Sequence, residues 1–297
     1  MTKIRPAALF AALLLAIAAL VVAGCGGSDS SSSSSTTSEE SSESAGGGAE
    51  EAEGTEEGEE EAEGGGETLT VGSDIPYPPF EQGKKGSYTG FDVELMEAIG
   101  EEIGREPEFI DSSFETIFRD VAQGKFEAVM SAATITEERE KVVSFSNPYY
   151  LSEQAIVVAE GSEITGLADL KGKTVAAQQG TTGLELGKEK AEAGELRPYP
   201  EGPDAINALK AGTVEAVIID APVAANAVEE TGGIEVAEKV PTEETYGIAV
   251  APESSELLEQ INEGLAKTLE DGKYEAIYEK WFHEAPPKEI FTLGKGS

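Results

Sequence analysis

The chain has 297 residues, with 58 Asp and Glu against 21 Lys and Arg, a single His and a single Cys, for a formal charge of −37. So acidic a chain has no basic stripe to displace counterions from nucleic acid and no attraction for an anionic membrane surface. One histidine and one cysteine leave no Ser-His-Asp or Cys-His machinery, no intramolecular disulfide and no Cys/His metal cluster, and no phosphate loop of the G-x-x-x-x-G-K-[ST] type occurs.

Those exclusions leave a binding protein, or an enzyme that works with carboxylates alone. No cofactor and no metal are expected. The N-terminus begins with Lys3 and Arg5 and continues in a 17-residue small and apolar run from Ala7 to Ala23. That run is shorter than the roughly 20 residues of a membrane-spanning helix, and reads as a secretory signal. It ends Val22-Ala23-Gly24-Cys25, which resembles a bacterial lipobox and makes Cys25 the expected lipidation site. An ordinary cleaved signal with an incidental Cys is the alternative. Residues 26–67 hold 14 acids, no Lys or Arg and no aromatic residue, in Ser/Thr and then Gly/Glu tracts. Such a segment has too little to bury to offset its chain entropy, and is expected to be a disordered tether.

From residue 68 the grammar changes to alternating strand and helix. Thr68–Ser73 reads as a strand, followed by a turn-rich stretch from Asp74 to Gly90. Phe91, Leu95, Met96, Ile99 and Ile103 recur at helical spacing and stop at Gly104, a fitting helix terminator, although Gly100 interrupts the stripe. Glu108–Asp111 is a strand, Ile117, Phe118 and Val121 stripe a helix ending at Gly124, and Glu127–Met130 is a strand. The second half repeats the pattern. Strands are expected at Lys173–Ala177, Arg197–Tyr199, Val214–Ile219 and Thr245–Val250. Helices are expected to start near Thr182, Asp204 and Ala221, and to cover Ser254–Asp271 and Tyr274–Phe282. Two α/β units, each a mainly parallel sheet with flanking helices, with the last helices following the second unit, predict two lobes facing a cleft.

Seven motifs stand in order along this region. They are Asp74-Ile75-Pro76-Tyr77-Pro78-Pro79-Phe80, Gly90-Phe91-Asp92-Val93-Glu94-Leu95, Gly124-Lys125-Phe126-Glu127-Ala128, Thr134-Ile135-Thr136-Glu137-Glu138-Arg139, Phe145-Ser146-Asn147-Pro148-Tyr149-Tyr150, Gln179-Gly180-Thr181-Thr182, and Gly272-Lys273-Tyr274 with Tyr278-Glu279-Lys280-Trp281-Phe282. In this order and spacing, residues 68–285 resemble the family 3 extracellular solute-binding proteins of polar amino-acid ABC importers. The resemblance implies a type II periplasmic-binding-protein clamshell that traps a polar amino acid, basic or glutamine, and delivers it to a membrane permease with its ATPase. Chain crossings near Val157–Glu160 and Tyr246–Ile248 would divide it into a first lobe of 68–158 plus 247–297 and a second of 159–246, in a lipid-anchored, extracytoplasmic monomer.

The resemblance also assigns a site. Arg139 takes the ligand carboxylate through its planar fork, against the alternative of a surface pair with Glu137 or Glu138. Thr134 donates its N–H and hydroxyl to the same carboxylate. Thr181 and Thr182 do so from a helix N-terminus, where a plain turn and cap is the alternative. Asp220, ending the apolar run Val217-Ile218-Ile219, pairs with the α-ammonium unless it merely caps the next helix. Ser131, or its carbonyl, helps there. Tyr77 and Phe114 sandwich the ligand side chain, and Phe80 is assigned to core. Asp74 reaches the side chain and favours ammonium, guanidinium, imidazole or amide groups, where a turn-former is the alternative. Ala132 stands where Ser or Gly is frequent, so its contact must be backbone. Gln178 and Ile219 replace the Lys and His of glutamine-specific relatives, which lowers glutamine against arginine, lysine or histidine. Two other readings share the fold: a secreted carboxylate-dependent dehydratase of the cyclohexadienyl type, and an amino-acid sensor module.

Overall fold

A computed structural model describes residues 67–293. The expected signal, Cys25 and the tether up to residue 66 lie outside the described residues. The chain opens with β1 (Glu67–Ser73), a hairpin of β2 (Gln82–Lys84) and β3 (Ser87–Thr89), helix α1 (Phe91–Ile103), β4 (Arg105–Asp111), α2 (Ile117–Ala122), β5 (Ala128–Val129) and β6 (Ser144–Phe145). It continues through β7 (Tyr150–Ala159), β8 (Thr174–Gln178), α3 (Thr182–Lys190), β9 (Glu195–Tyr199), α4 (Gly202–Lys210), β10 (Ala216–Asp220), α5 (Ala221–Thr231) and β11 (Ile234–Tyr246), and returns with β12 (Ala249–Val250), α6 (Ser255–Glu270) and α7 (Lys273–Phe282).

Two five-stranded sheets result, in the orders β4-β1-β5-β12-β6 and β11-β7-β10-β8-β9. Each has three parallel strands at one side and antiparallel strands at the other, β12 and β6 in the first sheet, β7 and β11 in the second. The two α/β units expected from the alternating pattern are therefore present, in the two-lobed α/β fold that the resemblance implies. No helix among the described residues is long and apolar enough to cross a membrane.

The apolar stripe of α1 is buried as its spacing requires, with Phe91, Leu95, Met96 and Ile99 fully enclosed, and Gly104 ends the helix at φ 73 with its N–H on the Gly100 carbonyl. Gly100 itself has a packing reason. A Cβ there would stand 2.5 Å from the Arg105 carbonyl oxygen and 2.8 Å from Cδ of Pro107. Ala would raise helix propensity by ~0.5–1 kcal/mol, yet overpacking against backbone and a rigid ring costs ~1–3 kcal/mol, so the clash wins. Gly100→Ala is expected to lower stability by about 1–2 kcal/mol, read from urea or thermal melts of the two proteins.

The crossings between sheets differ from the expected positions at one end. β7 pairs with β10 and β11 along its length, Tyr150 opposite Tyr246 and Ala159 opposite Ile234. Residues 157–159 therefore lie inside the second sheet, and the first crossing falls at Ser146–Tyr149, after β6. The continuous strand expected over Thr245–Val250 is instead broken at Gly247–Ile248: Tyr246 pairs in the second sheet and Ala249 in the first. The two crossings run side by side, Ser146 N–H donating to the Ile248 carbonyl at 2.8 Å and Tyr149 N–H to the Tyr246 carbonyl at 2.9 Å.

An aromatic cluster packs against this double crossing. Phe80, fully buried as expected, meets Tyr150 and Tyr246 edge-on at 5.1 and 5.5 Å, and the Tyr150 and Tyr246 rings stack at 5.4 Å. Such pairs add ~0.5–1.5 kcal/mol each beyond their buried area, which fixes the root from which both sheets extend.

Candidate functional site

The loops at the carboxyl ends of the parallel strands of both sheets converge on one small cavity. All eleven residues proposed from sequence line it. From the first sheet's side come Asp74 and Tyr77 after β1, Phe114 after β4, and Ser131, Ala132 and Thr134 after β5. Arg139 opens the short 3-10 turn Arg139–Lys141. From the second sheet's side come Gln178 at the end of β8, Thr181 and Thr182 at the start of α3, and Asp220 at the end of β10.

Arg139 makes no pair with Glu137 or Glu138. Its guanidinium donates from Nη1 to the Thr134 carbonyl at 2.6 Å and from Nη2 to the Gly180 carbonyl at 3.1 Å. It lies over the rings of Phe118 and Phe114, 4.6 and 5.1 Å from their centroids, a cation–π seat that holds the fork flat. Gly180, at φ 79, is what lets α3 come so near: a Cβ there would reach the backbone of Glu115 at 3.3 Å. Thr181 caps α3, its Oγ1 accepting from Leu184 N–H at 3.2 Å and donating to the Gln178 carbonyl at 2.8 Å. A well-formed cap aims the helix N-terminus, with its partial positive charge, at the cavity beside Arg139.

Carboxylates occupy the rest of the lining. Asp220 stands at the N-cap position of α5 but makes no side-chain capping bond, so the capping alternative is not realised. Its Oδ2 accepts from the Tyr77 hydroxyl at 2.6 Å, and its Oδ1 accepts from Gln154. Burial, reinforced by the charge of nearby Glu244, pushes Asp220 up to about 7. Asp74 accepts on Oδ2 from Gln178 and from Phe114 N–H at 3.2 Å, and burial pushes it up to about 7 against the pull of those two bonds. Glu201 and Asp111 add negative potential there. Tyr77 reaches the second lobe with its ring as well, lying against Gly202, where a Cβ would meet it at 2.8 Å.

Three buried polar residues in contact with this shell escaped the sequence reading. Glu244 on β11 accepts on Oε2 from the Thr134 hydroxyl at 2.7 Å and the Thr182 hydroxyl at 2.9 Å. Both hydroxyls, expected to reach a ligand, are thus turned to Glu244, and the backbone N–H is the donor each residue retains for the cavity. Gln154 on β7 sits between the carboxylates of Asp220 and Glu244. Glu81 takes the Ser131 hydroxyl at 2.9 Å while that same oxygen accepts from Asp74 N–H, leaving Ser131 its carbonyl. Glu244 lies in the polar run Thr242-Glu243-Glu244, and Glu243 at φ 53 with the register shift between Val240 and Glu244 turns it inward. Among the described residues no group of three His, Cys, Asp or Glu side chains is arranged to hold a metal.

The chain has known relatives. Residues 69–284 match the family model of the bacterial extracellular solute-binding proteins, family 3. It is 32% identical over 222 residues to ABC transporter arginine-binding protein 1 of Escherichia coli, covering 73% of this chain and 91% of that protein. Among solved structures it matches the arginine-, lysine-, histidine-binding protein ArtJ of Geobacillus stearothermophilus at a TM-score of 0.71 and 33% identity, over 76% of this chain and all of that one. It also matches the ancestral amino-acid-binding protein AncCDT-1, a precursor of cyclohexadienyl dehydratase, at a TM-score of 0.68 and 37% identity, over 72% of this chain and 95% of that one.

Proposed function

The chain belongs to the bacterial extracellular solute-binding proteins of family 3, and from that membership we propose that it captures an amino acid with a cationic side chain between its lobes. It is the substrate-binding component of an amino-acid ABC importer and not an enzyme. The carrying observation is the charge of the cavity: one guanidinium, Arg139, against the carboxylates of Asp74 and Asp220, with Glu244 directly behind them.

Arg139 and the α3 N-terminus grip the ligand carboxylate, backed by the N–H groups of Thr134 and Thr182. Asp220 takes the α-ammonium, with the Ser131 carbonyl beside it. Tyr77 and Phe114 flank the side chain, and Asp74, held by Gln178, receives its positive end. A basic amino acid brings two positive groups and one negative one, and so leaves fewer buried charges unpaired than a neutral or acidic amino acid. Ligand contacts from both lobes favour the closed form, the shape a permease with its ATPase would recognise. The lobes themselves we take as 67–149 with 247–293, and 150–246, in a monomer tethered outside the membrane through a lipid on Cys25.

The test is thermal unfolding of protein stripped of carried-over ligand, against the twenty amino acids, ornithine, cystine and prephenate. A ligand at about 1,000 times its Kd adds about 4 kcal/mol, which raises Tm by roughly 8–16 °C in a domain of this size. The expected hits are arginine, lysine, ornithine or histidine. A shift with glutamine alone would keep the capture function and reject the cationic side chain, and with it the weight given to Gln178 and Ile219. A shift with prephenate alone would reject both.

A further inference from the structure

Beside the cavity, in the first lobe, two carboxyl groups are buried together. Glu81 and Asp92 are both fully enclosed. The backbones that carry them touch: Asp92 N–H donates to the Phe80 carbonyl at 3.0 Å, and a Cβ on Gly90 would overlap that same carbonyl. Their side chains reach consecutive residues of the loop after β5. Glu81 Oε1 accepts from the Ser131 hydroxyl at 2.9 Å, and Asp92 Oδ2 accepts from Ala132 N–H at 2.8 Å and from the Tyr149 hydroxyl at 2.8 Å. The remaining oxygens, Glu81 Oε2 and Asp92 Oδ1, are buried and receive no hydrogen bond.

Among the described residues no Lys, Arg or His forms an ion pair with either. The titratable groups near the pair are Asp74, Asp220, Tyr77, Tyr149 and Tyr274, all acids. Two carboxylates enclosed in one place with neutral donors only are disfavoured as two anions, and one proton held by the pair removes one of the two buried charges. Asp92 accepts two hydrogen bonds on its outer oxygen and Glu81 only one. The anion is therefore better held on Asp92, and the proton belongs on Glu81.

We propose that Glu81 is a protonated positioning residue which shares its proton with Asp92, and that the pair fixes the Ser131–Ala132 segment where it lines the ligand cavity. Ala132 sits at φ 44, a conformation that a residue with a Cβ keeps only when its surroundings hold it there. The Ala132 N–H bond to Asp92 and the Ser131 bond to Glu81 are that hold. Through Ser131 Oγ the same hold reaches the Asp74 N–H. Both carboxyls are raised by burial, Asp92 to about 7 and Glu81 well above its ordinary value, the direction that a shared proton requires.

The proposal rests on reading the cavity as the ligand site only in its binding arm, so the test has two. In the first, infrared spectra of the protein at about pH 8, above the ordinary range of carboxylates, are compared with those of Glu81→Gln. A protonated-carboxyl C=O stretch present in the parent and missing in the variant is expected, and superimposable spectra would overturn the proposal whatever the ligand is. In the second, calorimetry with arginine should find Glu81→Gln within about threefold of the parent, because an amide N–H replaces the shared proton, and Glu81→Ala weaker by about tenfold or more, because Asp92 is left unpaired. Equal losses in the two variants would reduce Glu81 to simple packing. If Glu81→Ala does not fold, the spectra of the parent and Glu81→Gln still decide.

Discussion

Arg139→Ala is expected to weaken amino-acid binding by about 30-fold to several thousand-fold, which in practice removes it. Truncating one member of a buried, hydrogen-bonded charge pair costs about 2–5 kcal/mol or more, much of it from the partner left without its counter-charge. Here the abandoned partner would be the ligand carboxylate, in a cavity whose other fixed charges are carboxylates. The effect has a second part. Arg139 ties the Thr134 carbonyl of one lobe to the Gly180 carbonyl of the other and lies over Phe118 and Phe114. Alanine therefore also loosens the seam along which the lobes meet. Arg139→Lys separates the two, since an ammonium keeps the charge but cannot donate two parallel bonds or stack flat on the rings. Calorimetry on both variants should find Lys intermediate. Affinity for arginine within about threefold of the parent in Arg139→Ala would show that the carboxylate is held elsewhere.

How much of this was legible in the sequence depends on which physical level fixes each feature. The stripe Phe91–Ile103 and its Gly104 stop are local, and periodicity finds them. Six of the eleven residues of the cavity wall lie in the ordered motifs, the other five follow from their positions in the resemblance, and the folded chain brings all of them to one cavity. Three features are tertiary and left weak traces. The β2–β3 hairpin is too polar and short to show alternation, and only Gly86 at φ 85 marks its turn. Strand β7 is half alternating and half continuously buried, with Ala155–Val158 in the middle of the sheet between β10 and β11. Such a mixed pattern carries no strand signature, and the first crossing was placed about ten residues late. Glu81, Gln154 and Glu244 are buried polar residues, and composition ranks such residues as surface. Only the closing of two sheets over them makes them part of the site.

The affinity for arginine is expected to fall by about a hundredfold from pH 8 to pH 6, about tenfold for each of two carboxyls. Asp74 and Asp220 are both pushed up to about 7, chiefly by burial. A cationic ligand pairs with the ionised form only, so each proton must leave before the ligand gains its partner. A group with pKa near 7 is mostly ionised at pH 8 and about nine-tenths protonated at pH 6, which sets the tenfold factor. Asp74→Asn should therefore flatten the dependence to about tenfold and lose the preference for cationic side chains, leaving Asp220 as the remaining titration. Stability of the ligand-free protein should run the other way. A carboxyl raised above its unfolded value of 3.8 binds more protons folded than unfolded between that value and about 7, so stability falls as pH rises through this window, and Asp92 adds to the trend. Saturating arginine should remove the part of that slope due to Asp74 and Asp220, because both are ionised in the complex as in the unfolded chain. Calorimetry across the pH series, in buffers of differing ionisation enthalpy, measures the protons released on binding and should count up to two near pH 6. A flat profile would mean that both carboxyls are solvated and ionised before the ligand arrives, and that the free cleft stands open.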